Sequence, residues 1–295
     1  MRKTRRFTTQ VLARFIKLKR GTGVFEEYVP WHRVSRSDPS SIGRSHLRYF
    51  KNRHVELLSD NEDFAFLFCT MLPDLFDIRE QFPLSLDEAA HELFNYDIDF
   101  NSIHSGTREV ANSLNVKHPA INGEVKAFWI MTTDLLVTLK KDNTLTLLAI
   151  SVKQSLKSLT KREKELLLIE SEYWKQRGVD WLLITKDEYH PRVGETLRRA
   201  ASWKFSESSQ TQEINKTIAI VKDLYGLPLI SILHKLAVYF NSMDIAQRAF
   251  WQAVWLGKIP IDLNRGWRPH IPVYRIPECE FWQQNPIAVR RSACL

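Results

Sequence analysis

Apolar positions Phe64, Leu67, Phe68 and Met71 recur at helical spacing, and Ser59-Asp60-Asn61-Glu62 just before them has the S-x-x-E form of a capping box. This pattern predicts a helix from about Asp60 to Leu72. Phe76 to Pro83 reads as a short strand, followed by a polar, helix-prone stretch through Leu114 whose internal boundaries the pattern does not fix. Ala127 to Leu139 and Leu145 to Lys153 are dense in β-branched, aromatic and aliphatic residues around the polar Lys140-Lys141-Asp142-Asn143, which predicts a β-hairpin. Lys161 to Arg177, rich in Lys, Glu and Leu, predicts a helix, and Asp180 to Thr185 a compact apolar strand. A strand-helix-strand order at the end of this series implies a parallel crossover, so the expected fold class is α/β with a mixed sheet covered by helices.

Around Ser206 to Gln212 the chain turns polar, which places an expected domain boundary between 1–205 and 206–295. Beyond it, Lys216 to Leu224 and Ile230 to Phe240 read as helices. Asp244 can cap a third that carries Ala246, Phe250, Val254 and Trp255 and ends near Gly257. Ile259 to Leu263 and Pro272 to Tyr274, on either side of a Gly/Pro/Arg-rich loop, read as two wing strands. The C-terminal domain is therefore expected to be mainly α and winged-helix-like, with Phe250, Trp251 and Trp255 in its core rather than exposed as stacking platforms.

Charge adds to this picture. The net charge is +8, and between Met1 and Val55 stand 14 Lys and Arg against Glu26, Glu27 and Asp38. Such a segment suits a phosphate backbone, and Tyr28, Trp31 and Tyr49 among the charges predict an ordered arm rather than a solvated tail. Arg44, His46, Lys117 and His118 are candidate DNA contacts by position. Cys69, Cys279 and Cys294 have neither disulfide nor zinc spacing and are expected as reduced thiols. No apolar run approaches the roughly 20 residues of a membrane span, and MRKTRRFTTQ lacks the apolar segment of a secretory signal, so the expected compartment is the cytoplasm with no membrane partner. No phosphate-cradling G-x-x-x-x-G-K motif or dinucleotide fingerprint is visible, so any energy-driven control must come from a partner.

Glu62 at a helix start, Asp134 on the first hairpin strand and Lys153 at the end of the second form a pattern that can serve phosphodiester hydrolysis. That chemistry needs Mg²⁺ held by hard oxygens, a polarised phosphate and an activated water, which two carboxylates and a lysine can provide. Each residue also has a plain structural reading: Glu62 as the return arm of the capping box, Asp134 at a strand edge, Lys153 in solvent. Spacing alone does not decide between them.

Several peptides in order over roughly the first two-thirds of the chain resemble the TnsA family. They are Tyr28-Val29-Pro30-Trp31, Gly43-Arg44-Ser45-His46, Leu58-Ser59-Asp60-Asn61-Glu62, Asp77-Ile78-Arg79-Glu80-Gln81-Phe82-Pro83-Leu84, Val116-Lys117-His118-Pro119, Thr133-Asp134, Val152-Lys153, and Glu170 with Tyr173-Trp174. The resemblance implies a restriction-endonuclease-like catalytic domain with a PD-(D/E)xK site. In it Glu62 and Asp134 would bind the metal, Lys153 would be the catalytic lysine and Glu170 a further acidic residue. It implies Mg²⁺, with Mn²⁺ as a substitute, and cleavage of duplex DNA at the 5′ ends of a Tn-seven-like transposon. The DDE transposase TnsB would cut the 3′ ends, and the AAA+ regulator TnsC would bind the C-terminal region. One departure stands out: the position two before the lysine, often Glu or Gln in this superfamily, is Ser151, a neutral and shorter-reaching ligand. The backbone carbonyl of Val152, a water or Glu170 is then expected to complete the coordination. Two rival readings remain at this point: a stand-alone restriction or repair nuclease of the same fold, and a non-catalytic DNA-binding assembly subunit.

Overall fold

The computed structural model describes residues 8–35, 44–121 and 127–295. The longer strands among them are β1 (His46–Phe50), β2 (Arg53–Leu57), β3 (Leu75–Pro83), β4 (Thr132–Lys141), β5 (Thr144–Val152) and β6 (Asp180–Ile184). The helices are α1 (Thr9–Lys17), α2 (Asp60–Cys69), α3 (Thr107–Ser113), α4 (Lys161–Gln176), α5 (Pro191–Lys204), α6 (Thr211–Val221), α7 (Leu229–Phe240), α8 (Met243–Trp255) and the short α9 (Glu278–Gln283). Their packing divides the chain into two compact units. One runs to Asp63 and includes Asp74–Thr185 and Ala293–Leu295; the other holds Phe64–Pro73 and Lys186–Ser292.

Asp142 and Asn143 both take positive φ, 47° and 64°, between Lys141 and Thr144, which pair across them. A two-residue turn of this hand follows the twist of the strands it joins. It closes the expected hairpin as β4 and β5, although Ala127–Phe128 pairs separately with Ala120–Ile121. β3 adds antiparallel to β4, and β6 lies parallel to β5 after the crossover through α4, giving the order β6-β5-β4-β3. The sheet of the first unit is therefore mixed, as expected.

α4 starts on a capping box between Thr160 and Glu163 and buries Leu167, Ile169, Glu170, Tyr173 and Trp174. Its aromatic pair joins Tyr28, Phe82, Leu84, Leu136 and Ala149 in the main core of this unit. β3 also buries charge. Arg53 holds Glu80 through a two-point ion pair at 2.8 and 2.7 Å, and Asp77 accepts from Tyr96 Oη at 2.6 Å and Phe25 N at 3.0 Å. Paired this way, carboxylates tolerate a site that excludes water.

The basic arm is folded in its described part: α1 buries Phe15, and the Arg20 guanidinium stacks on that ring while donating to the Trp31 carbonyl at 2.9 Å. Residues 1–7 and 36–43, Gly43 included, lie outside the described residues. Lys51 and Asn52 form a second left-handed turn that joins β1 and β2 into a hairpin. The sequence pattern gave no sign of it, because its charged positions Arg53 and Glu56 are buried as partners rather than exposed.

In the second unit α8 packs against α5, α6 and α7. Trp255 Nε1 donates to Thr70 Oγ1 at 3.0 Å, and Asn285 Nδ2 to the Phe68 carbonyl at 2.9 Å. The polar stretch expected as a boundary lies inside this unit, between α5 and α6. Gln252 on α8 holds it there, accepting from Ser209 N at 2.7 Å and donating to the carbonyls of Trp203 and Glu207. The expected wing strands do not form: among the described residues this region carries isolated bridges, Ile261 with Arg275 and Pro228 with Pro272. Pro260, Pro269 and Pro272 lack the N–H groups a ladder needs. The intervening loop instead wraps Arg265, whose guanidinium donates to the carbonyls of Gly266, Arg268, Ile271 and Pro272. The three cysteines are unpaired, and among the described residues no helix is long and apolar enough to cross a membrane.

Candidate active site

Antiparallel pairing places the start of β4 beside the ends of both β3 and β5. That single end of the sheet carries Asp134, Gln81 and Lys153. Asp134 Oδ2 accepts from the backbone N–H of Val152 at 2.6 Å and from Lys153 Nζ at 3.4 Å. Lys153 Nζ also donates to the Val152 carbonyl at 3.0 Å. One residue, Val152, thus orients the carboxylate with its N–H and the ammonium with its carbonyl oxygen.

Glu62 enters from the first turn of α2. Its Oε2 accepts from Leu58 N at 2.9 Å, its Oε1 from Ser59 Oγ at 3.0 Å, and its own N–H donates back to Ser59 Oγ at 3.2 Å. The capping role and the site role are therefore filled by the same side chain. Gln81 links it to Asp134: the amide nitrogen lies 3.2 Å from Glu62 Oε2 and 3.4 Å from Asp134 Oδ1. Gln81 takes a φ of +48° inside β3, a conformation that costs a side-chain-bearing residue roughly 1–3 kcal/mol. Its carbonyl is held by Trp31 N at 3.2 Å.

Behind these residues, Glu170 Oε1 accepts from Ser151 Oγ at 2.5 Å and Thr133 Oγ1 at 2.7 Å. Each hydroxyl accepts in turn from an indole: Trp181 Nε1 reaches Ser151 Oγ at 3.0 Å, and Trp174 Nε1 reaches Thr133 Oγ1 at 2.7 Å. Ser151, expected as a metal ligand, is thus buried and spends its hydroxyl on Glu170 and Trp181.

Three carboxylates share this region with one ammonium. Burial and the Asp134 charge push the Glu62 carboxyl up to about 7, and the same two causes raise Glu170. Burial works against the Lys153 ammonium, yet Asp134, Glu170 and Glu62 together hold its pKa above the ordinary lysine value. The excess of negative charge favours a cation. Among the described residues no three of His, Cys, Asp and Glu converge to hold an ion by themselves. Glu62 and Asp134 could hold one only with help from amide, backbone or water oxygens.

The candidate DNA contacts divide. Arg44 and His46 gather on Asp60, two residues before Glu62, at 3.3 and 2.8 Å. Lys117 is exposed. His118 is buried, with Nδ1 bonded to the Pro119 carbonyl at 2.9 Å and Nε2 to Thr107 Oγ1 at 3.0 Å; burial lowers its pKa. It serves its own packing. Gln81, Thr133, Trp174 and Trp181 were given no role in the sequence. A strand periodicity carries no sign that one glutamine turns left-handed, and indoles on a core helix and strand read simply as packing.

A family model described as TnsA-like endonuclease N terminal matches residues 72–186. The Transposon Tn7 transposition protein TnsA of Escherichia coli is 36% identical over 205 residues, a match that covers 69% of this chain and 66% of that protein. The matched segment of the family model contains β3 to β6 with Gln81, Asp134, Ser151, Lys153 and Glu170. With this identity beside the family model, the chain belongs to the TnsA family.

Proposed function

We propose that this protein is the Mg²⁺-dependent endonuclease subunit of a heteromeric transposase, cutting the 5′ ends of the transposon in duplex DNA while the DDE transposase TnsB cuts the 3′ ends. The observation that carries this reading is the meeting of Asp134, Lys153 and Glu62 at one end of the sheet, each oriented by a backbone group or cap. Two carboxylates in an electron-rich, partly buried setting are a hard-oxygen donor set that fits Mg²⁺, or Mn²⁺ in its place. Glu62 and Asp134 would hold the ion, which when bound lowers the pKa of a water and offsets charge on the leaving oxygen.

The chain's own residues do the positioning. Val152 N–H fixes the Asp134 carboxylate, and Asp134 with the Val152 carbonyl fixes the Lys153 ammonium, which orients the attacking water and offsets charge growing on the phosphate. Glu170 ties Ser151 on β5 to Thr133 on β4 and so keeps the flanks of Asp134 in register. Expected products are a 5′-phosphate and a 3′-hydroxyl. Arg44, His46 and Lys117 are assigned to the DNA backbone, the helical second unit to partner contact, including the AAA+ regulator TnsC, and the site of action to the cytoplasm.

The test is strand-specific cleavage of DNA carrying both transposon ends, with purified protein, its cognate TnsB and TnsC, Mg²⁺ and ATP. Wild type should give 5′-end cuts that Asp134→Ala and Lys153→Ala lose while 3′-end cuts persist. Variants that cut the 5′ ends like wild type would remove these residues from the mechanism. A wild type that makes no 5′ cut beside working partners would favour a non-catalytic assembly subunit.

A further inference from the structure

Position 151 leaves an unfilled need. The superfamily's common Glu or Gln there is a serine, whose short side chain is buried and bonded to Glu170 and Trp181. With no third His, Cys, Asp or Glu converging among the described residues, a metal held by Glu62 and Asp134 lacks a further side-chain ligand.

Gln81 stands where that ligand belongs. The β3–β4 ladder pairs Glu80 with Leu135 and Phe82 with Thr133, and between those pairs Gln81 turns left-handed, directing a nearly buried amide to Glu62 and Asp134 together. This register sets Gln81 across from Asp134, and opposite residues of an antiparallel pair share one face of the sheet, so position 81 lies on the face that carries this carboxylate.

From this geometry we infer that Gln81 is a metal ligand of the site, its Oε1 replacing the contribution that Ser151 cannot make. The inference rests on the metal-dependent reading above and deepens it. Without a cation, two carboxylates select the amide's NH₂ end. With a cation between them, a half-turn about the terminal torsion, which is broad and roughly two-fold, presents the oxygen instead. The spacing supports the exchange. Oxygens on adjacent corners of an octahedron with bonds of about 2.1 Å lie about 3.0 Å apart. The amide terminus is 3.2 Å from one carboxylate oxygen and 3.4 Å from the other, so a small closure of the site brings both contacts to that edge length.

The experiment measures Mn²⁺ binding to the full-length protein by calorimetry, without DNA, for wild type, Asp134→Ala, Gln81→Gly and Gln81→Glu. Glycine removes the side chain at a backbone conformation that suits it, so the fold is expected to persist, checked by circular dichroism. Gln81→Gly should weaken Mn²⁺ binding by about tenfold or more, and Gln81→Glu, which keeps an oxygen at the same reach, should bind at least as tightly as wild type. If Asp134→Ala abolishes binding while Gln81→Gly binds like wild type, the ligand role of Gln81 is wrong and the metal site stands without it. If Gln81→Glu binds as poorly as Gln81→Gly, the site needs the donating amide nitrogen rather than an oxygen at that position, and the inference also fails. If wild type binds no Mn²⁺, both the metal reading and this inference built on it fall.

Discussion

Replacing Glu62 by glutamine should stabilise the metal-free protein at alkaline pH while removing its cleavage activity. Burial beside Asp134 raises the Glu62 carboxyl from the usual 4.5 to about 7. Between those values the folded chain holds a proton that the unfolded chain has released, so stability falls as pH rises through this window. The contribution is fully present below about 4.5 and lost above about 7. At about 1.36 kcal/mol per pH unit the loss is about 3 kcal/mol. Glutamine cannot ionise, yet it can still accept from Leu58 N and bond Ser59 Oγ, so the start of α2 is kept. Urea unfolding in EDTA, followed by tryptophan fluorescence from pH 4 to 8, should give curves for the two proteins that meet at the acid end. They should part by about 3 kcal/mol near pH 8, with the variant the more stable. Saturating Mn²⁺ should stabilise wild type far more than the variant. A wild-type-to-variant difference that does not change with pH would refute the argument.

Metal affinity should follow the same carboxyl in the opposite sense: calorimetric Mn²⁺ affinity is expected to rise about tenfold per pH unit well below 7 and to level off above it, because the ion must displace the Glu62 proton. A flat profile from pH 5 to 8 would remove Glu62 from the ligand set. Glu80→Ala leaves the Arg53 guanidinium buried without its partner and should cost about 3–5 kcal/mol in a denaturant melt; a loss under 1 kcal/mol would show that the pair contributes little to β3. A Cβ at Gly194 would stand 2.9 Å from the Phe64 ring, so Gly194→Val should destabilise the second unit by about 1–3 kcal/mol in thermal unfolding; an unchanged melt would show that the ring gives way freely.

The main sheet and α4 were legible because their signals are local and agree with one another: a capped apolar run, two β-rich segments around a polar turn, then a helix-rich stretch and an apolar strand. Elements whose charge is buried were hidden. The β1–β2 hairpin read as a basic arm because Arg53 and Glu56 look solvent-facing until Glu80 and Arg33 are brought to them from elsewhere in the chain. The wing failed for the converse reason: Ile259, Ile261 and Val273 have strand character, but the prolines among them withhold the donors, and the loop closes on Arg265 instead. At the site, peptide resemblance selected Glu62, Asp134, Lys153 and Glu170, which the sheet and the start of α2 bring together. It named Ser151 for a metal, where the structure bonds its hydroxyl to Glu170 and Trp181, and gave no role to Gln81, whose amide reaches both Glu62 and Asp134.

Glu62 both starts α2 and faces Asp134, and this double duty constrains how such a protein could lose its activity over evolutionary time. A random change at Glu62 loosens a helix start as well as the chemistry, and so meets purifying pressure even in a lineage that no longer needs the cut. Lys153 is mostly buried and bonded to Asp134 and to its neighbour's carbonyl. On the proposed mechanism its loss would silence the enzyme while leaving the Glu62 cap of α2 in place, which makes position 153 the place where retirement of a nuclease into an assembly subunit would first be written.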